Sequence, residues 1–327
     1  VGYASRKTTG IAVSNVNLDV EKGEILGLVG ESGCGKTTMA VALLNLIEMP
    51  GVIQSGSITL YKEKDETTNL LKLNPEQQRQ TRWKDIAYFP QSSMSALNPV
   101  LKVAHQMTDT LVQHGLSKTE ALERSKWALK LVSLEQSVLD NYPHELSGGM
   151  SQRVAIALAI TMKPSILIAD EPTTALDVVT QRSILQELVN IRNEFGTTII
   201  LISHDMGVMA QVVDRMAVMY AGRIVELGKV NSIFEDPLHP YTQKLIGAIP
   251  KTTGQHLEGL AGEAPSLWHY PTGCRFHPRS NQVMPICRES NPDFMEIHPG
   301  HPTACHIYQT TVKQSHGGTA RSQITET

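Results

Sequence analysis

The sequence predicts an α/β protein whose central sheet is mainly parallel. Two apolar runs, residues 166–169 and 197–202, have the length and composition of buried strands, and the amphipathic segment 181–195 separates them. A third apolar run, residues 25–29, leads through a glycine-rich loop into the helical segment 39–47. Alternating strands and helices place consecutive strands side by side and parallel, with helices on the faces of the sheet.

Shorter apolar segments predict the remaining strands. We expect strands within residues 11–29 and 52–62, and another at residues 85–90. Residues 216–219 and 223–226 are joined by a Tyr-Ala-Gly turn, which predicts a hairpin near an edge of the sheet.

Helical spacing and composition organise the rest of the chain. Apolar residues three and four apart predict helices within residues 101–139 and at residues 154–162. After residue 250 the composition shifts toward Pro, His and Cys, so we place a domain boundary between residues 1–250 and 251–327. The final segment, residues 314–327, is polar, and we expect no packed core there.

The composition limits the classes of protein to which the chain can belong. Its 327 residues are 41% hydrophobic and 19% charged, which indicates a globular chain of about two domains. A net charge of −3 and a pI of about 6.5 argue against nucleic acid as the main partner. No apolar run reaches the roughly 18 residues that a membrane span needs. The chain starts with neither Met nor an apolar leader, so we expect no signal peptide and a natural protein that begins earlier.

The glycine-rich loop has the pattern of a phosphate-binding site. It reads Gly-Glu-Ser-Gly-Cys-Gly-Lys-Thr-Thr and fits G-x-x-x-x-G-K-[ST]. Glycines let backbone N–H groups turn inward around an anion, and the start of the next helix adds partial positive charge. The lysine is expected to reach the outer phosphates, and the first threonine hydroxyl to ligate Mg²⁺. The predicted nucleotide-contacting residues are Gly30, Ser32, Gly33, Cys34, Gly35, Lys36, Thr37 and Thr38.

Cys34 lies inside this loop, near the start of a helix, where the pKa of a thiol can be lowered. Two interpretations stay open: a reactive thiol, and a small residue that fills a variable position. We expect bound ATP to slow the alkylation of Cys34.

Further motifs follow the phosphate loop along the chain. Gln91 comes directly after the strand predicted at residues 85–90. Residues 146–153 read Leu-Ser-Gly-Gly-Met-Ser-Gln-Arg, and residues 166–177 read Ile-Leu-Ile-Ala-Asp-Glu-Pro-Thr-Thr-Ala-Leu-Asp. His204 follows the strand predicted at residues 197–202.

In this order the motifs resemble those of the ATP-binding cassette (ABC) family: phosphate loop, Gln loop, signature, Walker B, D-loop and switch histidine. The resemblance covers about residues 1–250 and departs at Met150, where many cassettes carry Gln. It implies a P-loop NTPase (RecA-like) core, an antiparallel β-subdomain and an inserted helical subdomain at about residues 92–163. A small Cys-containing extension, residues 251–327, would follow.

The resemblance implies a chemical role for each polar residue of these motifs. Glu171 would be the general base that polarises the attacking water, and His204 would hold the γ-phosphate. Asp170 and Gln91, together with Thr37, would help to bind Mg²⁺. The implied catalytic set is Lys36, Gln91, Glu171 and His204.

In this family the signature motif binds the nucleotide of a second subunit. Ser147, Gly148 and Gly149 would form an anion site at a helix start that faces the γ-phosphate across a two-cassette sandwich. Asp177 would lie across the same joint. Tyr3 stands where the family often has an aromatic ring stacked on adenine, and a plain strand tyrosine is the alternative.

Cassettes serve in transport, DNA repair, chromosome organisation and translation. The segment between Gln91 and the signature is too short for the long coiled-coil or zinc insertions of repair and chromosome cassettes. Transport is therefore the leading interpretation, and a soluble repair or regulatory ATPase with a metal-bearing tail is the alternative. Because the chain has no membrane span, the channel would be two separate integral-membrane permease subunits that dock at about residues 91–103.

Two segments are similar to the oligopeptide, dipeptide and nickel importer branch. Residues 235–245 read Glu-Asp-Pro-Leu-His-Pro-Tyr-Thr-Gln-Lys-Leu, and residues 96–99 read Ala-Leu-Asn-Pro. The branch implies a heterodimer with a second, homologous ATPase subunit and an extracytoplasmic solute-binding protein. It also implies a position at the cytoplasmic face of the membrane. Its solutes are peptides, nickel or metallophores, and oligosaccharides, and the ATPase subunit touches none of them.

The extension contains three of the four cysteines, Cys274, Cys287 and Cys305. Many members of the branch carry four cysteines, spaced C-x5-C-x6-C with a distant fourth, that are linked to a [4Fe-4S] cluster. Here the spacing is kept, but Ser280 occupies the second place, and cluster iron prefers thiolate ligands. Three alternatives stay open: a cluster held by three Cys with Ser280 or water, a plain structural tail, or a Zn²⁺ site using His277, His301 or His306.

Overall fold

The structure, a computed structural model, describes residues 1–5, 8–62, 66–91, 96–174, 176–249 and 261–309. Within these ranges, eight strands form a central sheet. In sheet order they are β12 (Met295–His298), β13 (His301–Thr303), β11 (Arg223–Lys229), β10 (Arg215–Tyr220), β3 (Ile25–Val29), β9 (Thr198–Ser203), β8 (Ile166–Asp170) and β7 (Ile86–Phe89). The polar segment at residues 314–327 lies outside the described residues.

The neighbouring strands from β10 to β7 run parallel, which confirms the predicted fold class. Strands β3 and β9 are buried along their whole length, because they lie in the middle of a sheet that is covered on both faces. Parallel strands end at one edge of the sheet, where α/β proteins bind ligands. Gly30, Glu171 and His204 each follow such a strand end, so the fold brings three of the sequence motifs to one edge.

The predicted hairpin is present, but its position near an edge was wrong. Strands β10 and β11 pair antiparallel, and β13 and then β12 continue the sheet beyond β11. Glu226 pairs with Thr303, and the Ala304 N–H donates to the Val225 carbonyl at 2.8 Å. Both outer strands come from the C-terminal extension, which therefore extends the same sheet as the rest of the chain.

Helices cover both faces of the central sheet. Among the described residues they are α1 (Lys36–Leu43), α2 (Pro75–Thr81), α3 (Val103–Gln113), α4 (Lys118–Leu131), α5 (Gly148–Ile160), α6 (Val178–Phe195), α7 (Met206–Met209), α8 (Val230–Glu235), α9 (Pro240–Gly247) and α10 (Ile286–Glu289). One hydrophobic cluster packs the helices from α3 to α6 against one face of the sheet. A second cluster packs α1, together with Leu60 and Leu70, against the other face.

Capping residues explain where the helices depart from their predicted bounds. The helical stretch predicted within residues 101–139 is divided after α3 by Gly115, whose φ is +94°, and the Ser117 side chain then caps α4. Helices α5 and α6 begin earlier than apolar periodicity indicates, because Ser147 and Asp177 cap them. Polar caps lie outside the hydrophobic pattern, so periodicity alone places a helix start too late.

Two smaller sheets lie beside the central one. The first has the order β2 (Thr9–Ile11), β1 (Gly2–Ala4) and β4 (Gly51–Val52), and the second pairs β5 (Thr59–Tyr61) with β6 (Thr67–Asn69). The strands predicted within residues 11–29 and 52–62 are thus shorter than the apolar pattern suggests. No helix in the described ranges combines the length and the apolar composition that crossing a bilayer requires.

Candidate active site

The phosphate loop connects the end of β3 to the start of α1, the context that its pattern requires. A Cβ on Gly30 would lie 2.1 Å from the Met219 carbonyl oxygen, so only glycine fits. Gly35 has φ +108°, and a Cβ there would lie 2.6 Å from the Ala12 carbonyl oxygen. Both glycines are needed because neighbouring backbone packs directly against the loop.

Lys36 is buried at the centre of the loop. Its Nζ donates to the carbonyl oxygens of Gly30 at 2.6 Å and Glu31 at 3.0 Å. The loop is therefore folded around its own lysine. A bound triphosphate would compete with these two carbonyls for the charge of Lys36. Ser32 and Gly33 are exposed at the tip of the loop, and Thr38 is half-buried on α1.

The structure corrects one expectation for the loop. Cys34 is only 4% exposed, and burial raises the pKa of its thiol even though Lys36 lies nearby and favours the thiolate. The lowered thiol pKa suggested by the nearby helix start is therefore wrong. Desolvation outweighs the helix start because the side chain packs inward.

Asp170 ends strand β8 fully buried beside the loop. Its Oδ2 accepts a hydrogen bond from the Tyr88 hydroxyl at 3.2 Å. Within the described residues its Oδ1 accepts no well-aligned hydrogen bond. Burial raises the pKa of Asp170, and the Thr37 and Tyr88 hydroxyls and the Lys36 charge offset part of that shift. A buried carboxylate beside the Thr37 hydroxyl offers the hard oxygen ligands that Mg²⁺ prefers.

Glu171 connects the other motifs at this edge. Its Oε2 accepts hydrogen bonds from Gln91 Nε2 and the Thr174 hydroxyl, both at 2.9 Å, and its Oε1 lies 3.2 Å from His204 Nδ1. Its backbone is held at φ +49°, and its N–H donates to the Ile202 carbonyl at 2.9 Å. A non-glycine residue held at positive φ is strained, and such strain concentrates at functional sites.

The surroundings of Glu171 keep its carboxyl ionised. Burial pushes its pKa up, but hydrogen bonds from His204, Thr174 and Gln91 outweigh burial and hold the pKa below its usual range. An ionised carboxylate at neutral pH can accept a proton from water. The arrangement can therefore orient and polarise a nucleophile at the edge of the sheet.

The signature residues lie at the start of α5 and are bonded locally. Ser147 caps the helix by accepting from the Met150 N–H at 3.3 Å, and its side chain is exposed. A Cβ on Gly149 would lie 3.0 Å from Thr180 Cγ2, so Gly149 allows close packing against the start of α6, while Gly148 is the first residue of α5. Asp177 caps α6 by accepting from the N–H groups of Val179 and Thr180 at 3.0 Å.

Tyr3 lies in the small sheet, half-buried, opposite Gly10 and Gly51. This sheet reaches the phosphate loop through Ala12, whose carbonyl packs against Gly35. The stacking of Tyr3 on adenine stays a prediction.

The cysteine segment does not have the donors of a four-thiolate cluster. The Cys274 N–H donates to the Cys287 carbonyl at 2.8 Å, and burial raises the pKa of Cys305 to about 11. The Ser280 hydroxyl accepts from the Gln282 N–H at 3.1 Å, so it serves a local turn. Among the described residues, no three Cys, His, Asp or Glu side chains form a group that could hold a metal ion.

The histidines that could have completed a zinc site have other partners. His277 Nδ1 lies 2.9 Å from the Cys274 carbonyl oxygen, and His306 Nε2 lies 2.9 Å from that of Ser290. His301 Nε2 lies 2.8 Å from a carboxylate oxygen of Glu226, which is fully buried. Because the described residues contain no group of side chains that could hold a metal ion, the structure supports neither the iron–sulfur cluster nor the zinc site.

Sequence reasoning missed several residues that touch the site. Tyr88 and Thr174 lie within or next to recognised motifs. The Tyr88 hydroxyl reaches Asp170 because strands β7 and β8 are adjacent, and the Thr174 hydroxyl reaches Glu171 three residues back in the same loop. Tyr241, on α9, and Arg279, in the extension, also contact the phosphate loop. Position relative to a known motif signals Tyr88 and Thr174. Tyr241 belongs to the importer-branch segment at residues 235–245, which does not signal this contact, and no local pattern signals Arg279.

The fold and the site define a cassette ATPase: a phosphate loop, a strand-end Asp-Glu pair and a histidine at one sheet edge, with a helical subdomain carrying the signature. Comparison with known families agrees. Residues 13–174 match the family model "ABC transporter", and residues 225–287 match "Oligopeptide/dipeptide transporter, C-terminal region".

Relatives cover almost the whole chain. The dipeptide transport ATP-binding protein DppD of Caldanaerobacter subterraneus is 40% identical over 312 residues, covering 94% of this chain and 94% of that protein. The oligopeptide transport ATP-binding protein OppD of Salmonella typhimurium is 42% identical over 300 residues, covering 90% and 87%. The chain therefore belongs to the ABC transporter ATPases, among those with the oligopeptide/dipeptide transporter C-terminal region. This family hydrolyses ATP with Mg²⁺.

Solved structures confirm the cassette fold. The ABC transporter cassette MJ0796, solved as a dimer in a post-hydrolysis state with ADP and phosphate, is 30% identical. Its TM-score is 0.60, and the match covers 70% of this chain and 95% of that one. A second dimeric structure of the same cassette has a TM-score of 0.61 and 29% identity.

Proposed function

We propose that the protein is the ATP-hydrolysing subunit of a peptide importer that works at the cytoplasmic face of the membrane. The observation that carries the proposal is the convergence of Gln91, Thr174 and His204 on Glu171, in a chain whose extension matches the oligopeptide/dipeptide transporter region. The named relatives are dipeptide and oligopeptide transport proteins, which supports peptides as the solute.

In the proposed reaction, Glu171 is the general base. Its ionised carboxylate accepts a proton from the water that attacks the γ-phosphate, while His204 holds that phosphate in line. Lys36 leaves its carbonyl partners to bind the outer phosphates. Bound Mg²⁺ would neutralise phosphate charge, with Asp170, Thr37 and Gln91 as the residues that hold it.

The signature surface, Ser147 to Gly149, lies at the start of α5, and the exposed Ser147 side chain is hydrogen-bonded within its own helix. Ser147 and the N–H groups there would form an anion site. We propose that this surface completes the nucleotide site of a second, homologous ATPase subunit and that Asp177 lies across the joint. The dimeric state of the similar solved cassette supports this arrangement.

Two permease subunits are proposed to dock beside the Gln loop, at about residues 91–103. The described part of this segment presents Val100, which is 75% exposed, while Leu97 is buried beneath it. Gln106 bonds to both the N–H and the carbonyl of Asn98, at 2.8 and 3.1 Å, which fixes the turn that carries Val100. We propose that this turn, with Val100, contacts the permease.

The soluble repair or regulatory ATPase is not favoured, since the relatives are named as transport proteins. A pull-down of the tagged full chain from membranes tests the proposal directly. We expect two integral-membrane subunits and a second, different ATPase to co-purify, and the associated solute-binding protein to bind short peptides. Binding of nickel or an oligosaccharide would reassign the solute, and recovery without membrane subunits would overturn the transport function.

A further inference from the structure

The C-terminal extension reaches the phosphate loop through one acidic residue, Glu31. The Glu31 carboxylate accepts hydrogen bonds from Arg279 Nη1 at 2.6 Å and Nη2 at 2.9 Å. Its N–H donates to the Tyr241 hydroxyl at 2.9 Å, and its carbonyl accepts from Lys36. Every polar group of this loop residue is therefore held, two of them by residues more than 200 positions away.

Arg279 is itself rigidly placed. Its side chain is 5% exposed, against 26% for Glu31, and its Nε donates to the Ala261 carbonyl at 3.0 Å. Lys244 donates to the Arg279 carbonyl at 2.6 Å, which fixes the backbone. The hydrogen bonds to Glu31 raise the pKa of Arg279 still further, so the guanidinium is always charged. Two parallel N–H bonds to a carboxylate are the strongest form of this contact.

Contacts within residues 226–241 and between that segment and the extension help to place these two side chains. Buried Glu226 accepts from the N–H groups of Leu238 and His239 at 2.8 and 2.9 Å, and His239 Nδ1 accepts from the Tyr241 N–H at 3.0 Å. Burial lowers the pKa of His239 to about 4, so its ring stays neutral and acts as the cap of α9. The Tyr241 and Phe276 rings lie 5.5 Å apart, which joins the two segments that reach the loop.

We propose that Arg279 is a positioning residue for ATP binding. It neutralises a carboxylate that directly follows the first glycine of the phosphate loop, and it fixes the turn from which Lys36 works. Without Arg279, an unpaired negative charge would lie beside the triphosphate site and compete for Lys36. The inference rests on ATP hydrolysis by this family and is independent of the transported solute.

The test measures MgATP affinity of the full chain, by displacement of a fluorescent nucleotide, together with the unfolding temperature. Arg279→Ala is expected to weaken MgATP binding by about tenfold or more. Glu31→Gln removes the carboxylate and leaves no negative charge unpaired, so it is expected to weaken MgATP binding less than Arg279→Ala does. The double variant Glu31→Gln/Arg279→Ala is expected to regain most of the affinity, which loss of packing alone would not do.

A matched control lies at the other end of the same strand. Glu24 precedes β3, and its carboxylate pairs with Arg215 Nη1 at 3.1 Å, with side-chain exposures of 9% and 25%. Arg215→Ala removes an arginine–glutamate pair far from the loop, in which the glutamate is the more buried partner. We expect it to lower the unfolding temperature and leave MgATP affinity unchanged.

Arg279→Lys keeps the positive charge but loses the two parallel hydrogen bonds to Glu31. Its MgATP affinity is expected to lie between those of wild type and Arg279→Ala, and it replaces the alanine variant if that variant does not fold. Wild-type affinity in both Arg279 variants would overturn the proposal. So would a double variant no tighter than Arg279→Ala, or an affinity loss in Arg215→Ala equal to that in Arg279→Ala. None of these outcomes bears on recovery of membrane partners, which tests the transport function separately.

Discussion

The phosphate-loop edge and the signature surface are held in different ways. At the loop edge, Glu171 bonds to Gln91 and His204 from distant parts of the chain, and to Thr174 three residues away. At the signature surface, Ser147 bonds only to its own helix in the described contacts. The difference teaches that one chain assembles the hydrolytic edge by itself, and it agrees with the proposal that the signature surface meets a ligand brought by another subunit.

The largest expected effect separates binding from chemistry at the loop edge. Glu171→Gln keeps the side-chain shape but cannot accept the proton, so turnover is expected to fall about 10²- to 10⁴-fold. ATP affinity should stay within a few-fold of wild type, and the closed dimer should accumulate. Phosphate release and equilibrium binding measure the two quantities, with Glu194→Gln on the exposed face of α6 as the control. Wild-type turnover in Glu171→Gln would remove Glu171 from the mechanism.

The second prediction compares two helix caps. Ser147 caps α5 and Ser117 caps α4, each by accepting a backbone N–H at 3.3 Å. Ser147→Ala and Ser117→Ala are each expected to cost about 1 kcal/mol of stability. Only Ser147→Ala should also lower turnover of the assembled ATPase pair, by about tenfold, because it removes a donor to the facing nucleotide.

The ATP affinity of the isolated chain is the control for both cap variants. It should be unchanged in both cap variants, since neither serine contacts the phosphate loop. An equal loss of turnover in Ser117→Ala would mean that helix stability alone explains the result.

A smaller effect is expected at Tyr88, which contacts the buried carboxylate of Asp170. Tyr88→Phe removes the hydroxyl that donates to Asp170 Oδ2 at 3.2 Å, a change worth about 1 kcal/mol. The Mg²⁺ concentration for half-maximal turnover should rise about threefold to fivefold, because the carboxylate is less well oriented. Tyr308→Phe, which breaks a 3.1 Å bond to the Leu238 carbonyl, is the matched control and should leave the Mg²⁺ dependence unchanged.

The last prediction concerns Glu187, which links α6 to α5, and it is measured as stability. Burial raises the pKa of Glu187 to about 7, although Arg153 on α5, 3.2 Å away, and Ser183 offset part of the shift. In the unfolded chain the pKa of this carboxyl is about 4.3, so the unfolded state loses its proton first as the pH rises. The contribution of Glu187 to stability is therefore fully present below about pH 4. It is expected to fall by about 1 kcal/mol per pH unit between pH 5 and pH 7.

Thermal unfolding across that pH range checks the prediction. Glu187→Gln cannot titrate, so its unfolding temperature should depend less on pH than that of wild type. An unchanged pH dependence would show that Glu187 stays ionised through its pairing with Arg153.

Most of the loop edge follows from sequence because its parts are local. Gly30, Lys36 and the Asp170–Glu171 pair each lie next to a strand whose apolar run marks it as buried, and parallel strands bring their ends to one edge. The Tyr88 contact could not be predicted, since it depends on which strand lies beside β8. The position of the hairpin was missed because the strand that covers it is three residues long and carries no periodic signal.

The sequence by itself determined the α/β class, the phosphate loop, the order of the cassette motifs and the importer branch. Short local patterns specify the class and the loop, and the motif order and the branch follow from resemblance to a known family. Only the tertiary structure decided that the extension joins the central sheet and that Arg279 forms hydrogen bonds to Glu31, 248 positions away. The physical reason is that such a contact depends on the packing of strands and rings between the two residues. No short-range pattern in the chain encodes that packing.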